Sequence, residues 1–323
     1  MSPASPVWPR PLKPGGVIGL CSPSSPSPDG AIAAAAAVLE TRGFRVVVAP
    51  NATRRDASLP YLAGPDPERL SDLNLLLRDP SVDLILCARG GYGAGRLLDG
   101  IDYDALRSDP KPLVGYSDIT ALSLGIAART GIVSFSGVMA TGNEGIGSAL
   151  CDPFSAESFL RAVTATDFPR RSDSPPDTVP WRILRGPTRV SGPLYPVCLS
   201  LLISLLGTPY VPDLSGAILL IEDVHEELYR VDRFLTQLRL SGTLDRIAAL
   251  LIGSFNGMNE AQNAELAERI PELVLSMTGD RVAVAAGVAY GHIPRRLTLP
   301  VGGFAEVDLE TGVFFFDRTN IPG

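Results

Sequence analysis

Short apolar runs alternate with longer helical segments along the first half of the chain. Three of these runs predict strands: Gly16–Cys21, Phe44–Ala49 and Val82–Ala88, and the last is continuous enough in apolar residues to be buried on both faces. The alanine-rich segment 31–40, which Asp29 can cap, and a segment opened by Asp66-Pro67-Glu68 predict helices between them. This alternation predicts an α/β fold with a doubly wound, mostly parallel sheet, whose ligands bind beyond the carboxyl ends of the strands.

A polar, proline-rich stretch over residues 166–189 predicts a linker. It separates a predicted N-terminal domain, residues 1–165, from a C-terminal domain, residues 190–323. The second half again predicts alternating elements: a helix at Leu199–Leu206, a strand at Ala217–Ile221, a helix at Glu226–Leu238, a strand at Ile247–Ile252, a helix over 259–277, a strand at Val282–Ala289 and a hairpin at Ala305–Phe316.

Composition narrows the function classes. A chain of 323 residues is long for one hydrophobic core, which favours two domains. The net charge is −7 and no block of Lys and Arg occurs, so neither a nucleic acid nor an anionic membrane is an expected partner. We expect a protein that handles small molecules.

The N-terminus and the cysteines indicate a cytoplasmic location. The first ten residues lack the charged and apolar segments of a secretory signal, and no apolar run approaches 18 residues. Four cysteines, Cys21, Cys87, Cys151 and Cys198, are widely spaced without a Cys-x-x-Cys pair. This spacing argues against a zinc site or a disulfide framework, and buried packing is the simpler role.

A glycine-rich loop, Arg89-Gly-Gly-Tyr-Gly-Ala-Gly95, follows the third predicted strand. It differs from a dinucleotide fingerprint because Arg96 stands where the third glycine belongs and the loop does not follow the first strand. A nucleotide-dependent oxidoreductase is therefore disfavoured. Two readings stay open: a backbone that approaches a ligand and offers N–H groups, or glycines that serve a tight turn.

The segment Lys111-Pro-Leu-Val-Gly-Tyr-Ser-Asp-Ile-Thr120 predicts a short strand, a sharp corner at Ser117 and a helix from about Asp118 to Arg129. Such a corner lifts a hydroxyl out of the sheet and places it at a helix N-terminus, as in a nucleophile elbow. A serine at this position is also a common N-cap. The segment alone favours capping, so support for a nucleophile must come from elsewhere in the chain.

Two histidines are available as a base. His225 is predicted to lie early in a surface helix among acidic residues, which favours a solvated or capping role. His292 directly follows a buried strand, in the kind of loop that carries catalytic groups, although a structural role is also common there. Glu222 and Asp223 end another apolar strand, and either can orient an imidazole; strand alternation places them on opposite faces.

The chain resembles the LD-carboxypeptidase family, which includes muramoyl-tetrapeptide carboxypeptidases and microcin C self-immunity serine peptidases. The resemblance spans nearly the whole chain, in the family's order. It is carried by Leu12–Ser25, Arg89-Gly-Gly-Tyr-Gly, Val114-Gly-Tyr-Ser-Asp-Ile-Thr120, Ile221-Glu-Asp-Val with Tyr229-Arg-Val-Asp-Arg233, and Gly291-His292 with Leu299-Pro-Val-Gly302.

The resemblance implies a class I glutamine-amidotransferase-like N-terminal domain and a swivelling β/α C-terminal domain, with the active site between them. It implies Ser117 as nucleophile, Glu222, rather than Asp223, as orienting acid, and His292 as general base. It also implies a homodimer and hydrolysis of the L,D-amide bond that releases terminal D-alanine from murein tetrapeptides in peptidoglycan recycling. This serine chemistry requires no metal or other cofactor.

Backbone N–H groups of Gly91 and Asp118 are the expected oxyanion donors. Arg89, Arg230 and Arg295 are candidates to hold the terminal carboxylate of the substrate, although each can equally be a solvated surface residue.

Two departures from the family pattern leave the substrate open: Tyr195-Pro-Val197 where many relatives have Gly-Gly-Asn, and Ser136-Gly-Val138 where His-Gly-Pro is frequent. The first alternative is a microcin-immunity-like hydrolase of an acyl-adenylate-type amide or phosphoramidate. That activity would need an aromatic side chain on a loop near the site, and the tryptophans, Trp8 and Trp181, lie in the N-terminal tail and the predicted linker. The second alternative is a non-enzymatic ligand-binding α/β protein, which needs no contact between Ser117 and His292.

Overall fold

The computed structural model describes residues 6–149, 151–167 and 170–317. The remaining positions of the two predicted domains and the predicted linker lie outside the described residues. The first part of the chain contains β1 (Val17–Cys21), α1 (Ala31–Thr41), β2 (Arg45–Val48), α2 (Asp66–Arg78), β3 (Leu84–Cys87), α3 (Tyr103–Ser108), β4 (Leu113–Val114), α4 (Thr120–Thr130), β5 (Ser134–Ser136) and α5 (Pro153–Thr164).

The later part contains β6 (Arg170–Asp173), β7 (Arg182–Arg185), β8 (Arg189–Cys198), α6 (Leu199–Leu205), β9 (Ile218–Val224), α7 (Leu228–Leu240), α8 (Thr243–Arg246), β10 (Ala249–Asn256), α9 (Glu260–Met277), β11 (Ala283–Ala286), β12 (Leu299–Val301), β13 (Phe304–Asp308) and β14 (Val313–Phe316). None of the described helices is long and apolar enough to cross a lipid bilayer.

The first sheet is mostly parallel, which confirms the predicted fold class. Its strand order is β12-β5-β4-β3-β1-β2, with β1 to β5 parallel and β12 antiparallel to β5. Strands β1 and β3 are both fully buried, and the burial of β3 is the one that its unbroken apolar run predicts. The order changes direction between β1 and β3, so the loops that leave these two strands diverge and open a crevice at their carboxyl ends. The glycine-rich loop follows β3 at this point.

The second sheet forms a separate β/α domain with eight strands, in the order β6-β14-β13-β8-β9-β10-β11-β7. Its centre, β8 to β11, is parallel, and its flanks are antiparallel. The hairpin of β13 and β14 is confirmed. Strand β12 returns to the first sheet, which joins the two domains through the segment that follows His292.

Three local features differ from the expectations drawn from sequence. The segment 166–189 contributes β6 and β7, the two outermost strands of the second sheet, because edge strands accept polar residues that central strands exclude. Gly30, with φ +76°, precedes α1, so Asp29 is not its cap. Helix α2 already begins at Asp66, after Pro65.

Candidate active site

Ser117 occupies a strained corner between β4 and α4. Its φ is +61°, in the left-handed region that residues with a Cβ rarely adopt. A short 3₁₀ turn over Ser117–Ile119 leads into α4, the two N-cap positions are held by Tyr116 and Ile119, and Ser117 Oγ contacts His292 instead. The hydroxyl is therefore not used as a cap, and the capping interpretation of this serine is wrong.

Two glycines make room for this corner. A Cβ on Gly90 would lie 2.9 Å from the Ser117 Cβ and 3.1 Å from its Oγ, and a Cβ on Gly115 would lie 2.8 Å from the Ile119 side chain. The glycine-rich loop after β3 thus approaches the serine more closely than a loop with side chains allows. Gly90 thus serves a close approach of the backbone to the serine, whereas Gly91 and Gly93, with φ +110° and +122°, serve the turn.

The Asp118 side chain connects the turn at Ser117 to two neighbouring loops by hydrogen bonds. It is buried, and its Oδ2 accepts hydrogen bonds from Ser24 Oγ at 2.6 Å and from the Ala94 N–H at 2.8 Å. Burial raises the pKa of this carboxyl, while the two hydrogen bonds and the Arg69 charge oppose the shift. Asp118 therefore links the loops after β1 and β3 to the turn that carries Ser117.

His292 faces the serine. Its Nε2 lies 3.0 Å from Ser117 Oγ and its Nδ1 lies 2.7 Å from Glu222 Oε2. The His292 carbonyl accepts a hydrogen bond from Asn256 Nδ2 at 2.6 Å, which fixes the backbone of the loop. A non-enzymatic binding protein has no need of the contact between Ser117 and His292, so the geometry disfavours that interpretation.

Glu222 and Asp223 lie on opposite faces of β9, as strand alternation predicts. Glu222 is buried and contacts His292. Asp223 accepts a hydrogen bond from the Ser200 N–H at 2.7 Å, in the first turn of α6, and contacts Cys198 Sγ at 3.4 Å. The two carboxylates therefore have different partners, and Glu222 is the one that can orient the imidazole.

Burial and charge act against each other in this pair. Burial tends to lower the pKa of His292, but the charge and hydrogen bond of Glu222, with a smaller contribution from Asp223, raise it above its usual range. Burial raises the pKa of Glu222, and the contact with His292 opposes that rise. The carboxylate thus favours a protonated imidazole, the state that forms when a base accepts the proton of a serine.

The two candidate oxyanion donors are the amides of Gly91, which lines the cleft with Ser117, and of Asp118, which follows Ser117 in the chain. Gly91 has φ +110°, and Asp118 N lies 3.3 Å from the position that a Cβ on Gly90 would take. Within residues 6–149, 151–167 and 170–317, neither N–H donates a hydrogen bond to another protein group. The lack of a protein acceptor for either amide within these ranges is what an oxyanion donor requires.

The three candidate arginines differ in their position relative to the cleft at Ser117. Arg89 is half-buried, lines the cleft beside Ser117 and donates a hydrogen bond from Nη1 to the Pro26 carbonyl at 3.1 Å. Arg230, on α7, forms an ion pair with Glu226, which precedes that helix, and Arg295 pairs with Asp152 at 3.2 Å. Neither Arg230 nor Arg295 lines the cleft, so Arg89 alone of the three is brought to the serine.

A cleft of about 530 Å³ opens over Ser117 and His292. His225, predicted to lie in a helix, instead lies in the loop before α7, is exposed with φ +60° and lines this cleft. Helix α7 begins only at Leu228. The acidic residues Glu226 and Glu227 resemble the first turn of a helix, so the sequence predicted a start that is too early. Tyr116 and Glu144, which also line the cleft, were not among the predicted site residues, although Tyr116 directly precedes the serine.

The departures from the family pattern lie beneath the site. Ser136 Oγ and the Tyr290 hydroxyl share a buried hydrogen bond of 2.6 Å, two residues from His292. Val197 is buried in β8 beside Ile221, and the next residue, Cys198, is the register partner of Glu222. Both positions thus lie close to Glu222 and His292 in the fold.

The chain matches known proteins over both domains. Residues 18–137 match the LD-carboxypeptidase N-terminal domain family, and residues 191–307 match the LD-carboxypeptidase C-terminal domain family. A putative carboxypeptidase of Streptomyces coelicolor is 39% identical over 97% of this chain and 96% of its own length.

Solved structures agree with these matches. The muramoyltetrapeptide carboxypeptidase of Oxalobacter formigenes is 30% identical with a TM-score of 0.79, over 95% of this chain and 100% of that one. The Escherichia coli microcin C7 self-immunity protein MccF is 29% identical over 98% of this chain and 95% of its own length. A structure of MccF with glutamyl sulfamoyl guanosine has a TM-score of 0.84 at 25% identity, over 97% and 99% of the two chains.

Proposed function

Because the chain belongs to the LD-carboxypeptidase family, we propose that it is the serine carboxypeptidase that releases terminal D-alanine from murein tetrapeptides. The bond cleaved is the amide between the L-centre of the third residue, meso-diaminopimelate or L-lysine, and D-alanine. A cytoplasmic location and a homodimer, expected from sequence and resemblance, belong to the same proposal.

One observation carries the mechanism: Ser117, His292 and Glu222 form a continuous relay, with contacts of 3.0 Å and 2.7 Å. Both distances are within hydrogen-bond reach of a nucleophile, its base and the group that orients the base. Ser117 and His292 both line an open cleft, which gives a substrate access to them and supports this proposal.

In the acylation step, His292 Nε2 accepts the Ser117 proton while Oγ attacks the carbonyl carbon of the scissile amide. The Glu222 carboxylate accepts a hydrogen bond from the Nδ1–H of His292, which fixes the tautomer and stabilises the imidazolium that forms. The negative oxygen of the tetrahedral intermediate accepts hydrogen bonds from the Gly91 and Asp118 amides. His292 then gives its proton to the departing nitrogen, and D-alanine leaves with the C–N bond broken.

Deacylation repeats the cycle with water. His292 removes a proton from a water molecule, the hydroxide attacks the Ser117 ester, and the same amides bind the oxyanion. The proton returns to Ser117 Oγ, and the shortened peptide leaves with a new carboxylate. No step requires a metal.

Arg89 supplies the selectivity for a chain end. A carboxypeptidase must bind the free carboxylate of the terminal residue, and a guanidinium binds a carboxylate through two parallel hydrogen bonds. Arg89 lies in the cleft with the serine, whereas Arg230 and Arg295 are paired elsewhere. We assign the terminal carboxylate to Arg89 as part of this proposal.

The test is mass spectrometry of products formed from free and sugar-linked tetrapeptides with L,D or L,L termini. Loss of one D-alanine from the L,D set alone is the expected result, and Ser117→Ala is expected to abolish it. Near wild-type hydrolysis by Ser117→Ala would exclude the serine mechanism, and no release from any L,D peptide would exclude the substrate.

A second candidate follows from the likeness to MccF: hydrolysis of an aminoacyl sulfamoyl nucleoside by the same serine relay. The positions of the two tryptophans do not support it. Trp8 packs with Phe135 and Phe316, and Trp181 packs with Phe314, so both indoles lie in the core and are not available to stack on a base. Turnover of glutamyl sulfamoyl adenosine faster than of the tetrapeptide would reverse this ranking.

A further inference from the structure

Three side chains form a row that ends at the proposed base. The rings of Tyr116 and His292 have centroids 5.0 Å apart with an interplanar angle of 59°. On the Tyr116 ring lies the guanidinium of Arg296, with its Cζ 4.3 Å from the ring centroid. This distance is well within the range of a cation–π contact.

Burial of the charged Arg296 side chain at this position costs free energy. Only 2% of it is exposed, and its backbone N–H is fixed to Ser155 Oγ at 2.9 Å. Its Nη2 forms an ion pair with Glu144, whereas Nε and Nη1 have no hydrogen-bond partner in the described part of the chain. A buried guanidinium with unpaired donors destabilises a fold, and an apolar side chain of similar length is often better tolerated. Packing alone therefore does not account for an arginine here.

Glu144 connects this row to the wall of the cleft. It belongs to the loop after β5, and residues 142–145 line the cleft together with Tyr116, Ser117 and His292. The Arg296 guanidinium thus contacts the ring behind the base on one side and the cleft wall on the other. Both contacts depend on its charge.

We propose that Arg296 is a positioning residue, which holds the Tyr116 ring against the His292 imidazole and, through Glu144, fixes the adjoining cleft wall, so that Nε2 stays aimed at Ser117. The proposal rests on the serine mechanism given above. Arg296 does not touch the reacting atoms; it acts through Tyr116. A lysine would keep the charge but lose the planar face that stacks on the ring.

The charges around His292 give the proposal a distinctive signature. The titratable and charged groups around it are Glu222, Asp223, Cys198, Tyr116, Tyr290, His225, Arg89, Glu144 and Arg296. Removal of the Arg296 charge leaves Glu144 uncompensated and favours the imidazolium, so the His292 pKa rises. Removal of the Glu144 charge leaves the cation uncompensated and has the opposite effect.

The experiment measures the rate at which a fluorophosphonate probe labels Ser117, as a function of pH, in the full chain. Labelling reports the activation of the serine and does not depend on which peptide is the substrate. Arg296→Met is expected to slow labelling about tenfold, to move the acidic limb of the profile to higher pH and to leave the thermal midpoint unchanged or higher. Glu144→Gln is expected to move the acidic limb to lower pH. Arg296→Lys is expected to have the acidic limb of the wild type but to label Ser117 more slowly than the wild type.

Arg239→Met, which alters an exposed arginine on α7, is the matched control and is expected to label like the wild type. Wild-type labelling and an unshifted limb in Arg296→Met would overturn the proposal, as would a loss that only follows the folded fraction. If Arg296→Met does not fold, the other two variants test the proposal. An acidic limb at lower pH in Glu144→Gln and slower labelling in Arg296→Lys would support it, and wild-type behaviour of both would overturn it. An unlabelled wild type would overturn the serine mechanism and this inference together, whereas labelling without release of D-alanine would overturn only the substrate.

Discussion

Gly291 lies against Glu222 so closely that a Cβ on the glycine would be 2.9 Å from Glu222 Oε2, the atom that contacts His292. Gly291 also has φ +124°, which a residue with a Cβ adopts only under strain. The residue before the proposed base thus makes room for the proposed orienting acid. The sequence pair Gly291-His292 acts as one unit in the site.

We predict that Gly291→Ala lowers kcat about 100-fold, because the added methyl group displaces the carboxylate and misaligns His292 by a large fraction of an ångström. Steady-state kinetics with an L,D-tetrapeptide measure the effect. Gly279→Ala is the control, since a Cβ there meets nothing within 4 Å and its φ is not positive. Wild-type kcat in Gly291→Ala would show that the contact between Glu222 and His292 does not matter for turnover.

Gly90→Ala tests the approach of the glycine-rich loop to the serine. Its Cβ would press on Ser117 Oγ at 3.1 Å and crowd the Asp118 amide at 3.3 Å, so both the nucleophile and an oxyanion donor are disturbed. We expect kcat to fall by about 100-fold or more, as for the loss of one oxyanion donor. Gly95→Ala in the same loop meets only Ala121 at 3.9 Å and should retain activity. Equal activity of the two variants would contradict the oxyanion assignment.

Glu222→Gln tests whether the charge of the orienting group matters, and we expect it to shift the pH dependence of kcat/KM. The wild-type acidic limb of kcat/KM should lie above the ordinary range of an imidazole, because the net effect of its surroundings raises the His292 pKa. The neutral amide removes the main cause of that rise, so the limb should move to lower pH while kcat falls on the order of 10³-fold or more.

The control for this variant is Glu226→Gln, a nearby carboxylate that pairs with Arg230 and makes no contact with His292. Its limb and kcat should match the wild type. A Glu222→Gln limb at or above the wild-type pH would mean that another group titrates in the profile.

Much of this arrangement follows from pattern alone. Unbroken apolar runs placed β1 and β3 in a parallel sheet, and the loops at their carboxyl ends proved to flank the cleft. The periodicity of strands also placed Glu222 and Asp223 on opposite faces. Pattern could not choose between the two carboxylates, because that choice depends on which face of β9 meets the loop of His292, a contact between residues 70 positions apart.

Other features depend on tertiary contacts that leave no local signal. The polar segment 166–189 resembles a linker, yet edge positions in the second sheet accept its strands. Arg296 lies four residues after His292, and an arginine in a loop is ordinarily exposed. Its burial depends on contacts with Tyr116 and Glu144, which are distant in sequence. His225 has a left-handed backbone at the end of β9, a conformation that no helical or strand period predicts.

Arg89 gives the last prediction. If its guanidinium binds the terminal carboxylate, Arg89→Met should raise KM for the tetrapeptide about 10- to 100-fold, the loss expected for a charge-assisted hydrogen-bonded pair. Arg89→Lys should recover only part of this loss, since an ammonium cannot form two parallel hydrogen bonds. Against a tetrapeptide with an amidated C-terminus, the wild type and Arg89→Met should be equally poor, because the group that Arg89 recognises is absent.

Arg230→Met and Arg295→Met separate the rival candidates, since each removes an equal charge from a position outside the cleft. Both should keep the wild-type KM. A rise in KM in either variant, with Arg89→Met unchanged, would move the carboxylate site away from the loop after β3. It would also require the substrate to enter the cleft from the side of that arginine, because a carboxylate fixed there sets which peptide bond reaches Ser117.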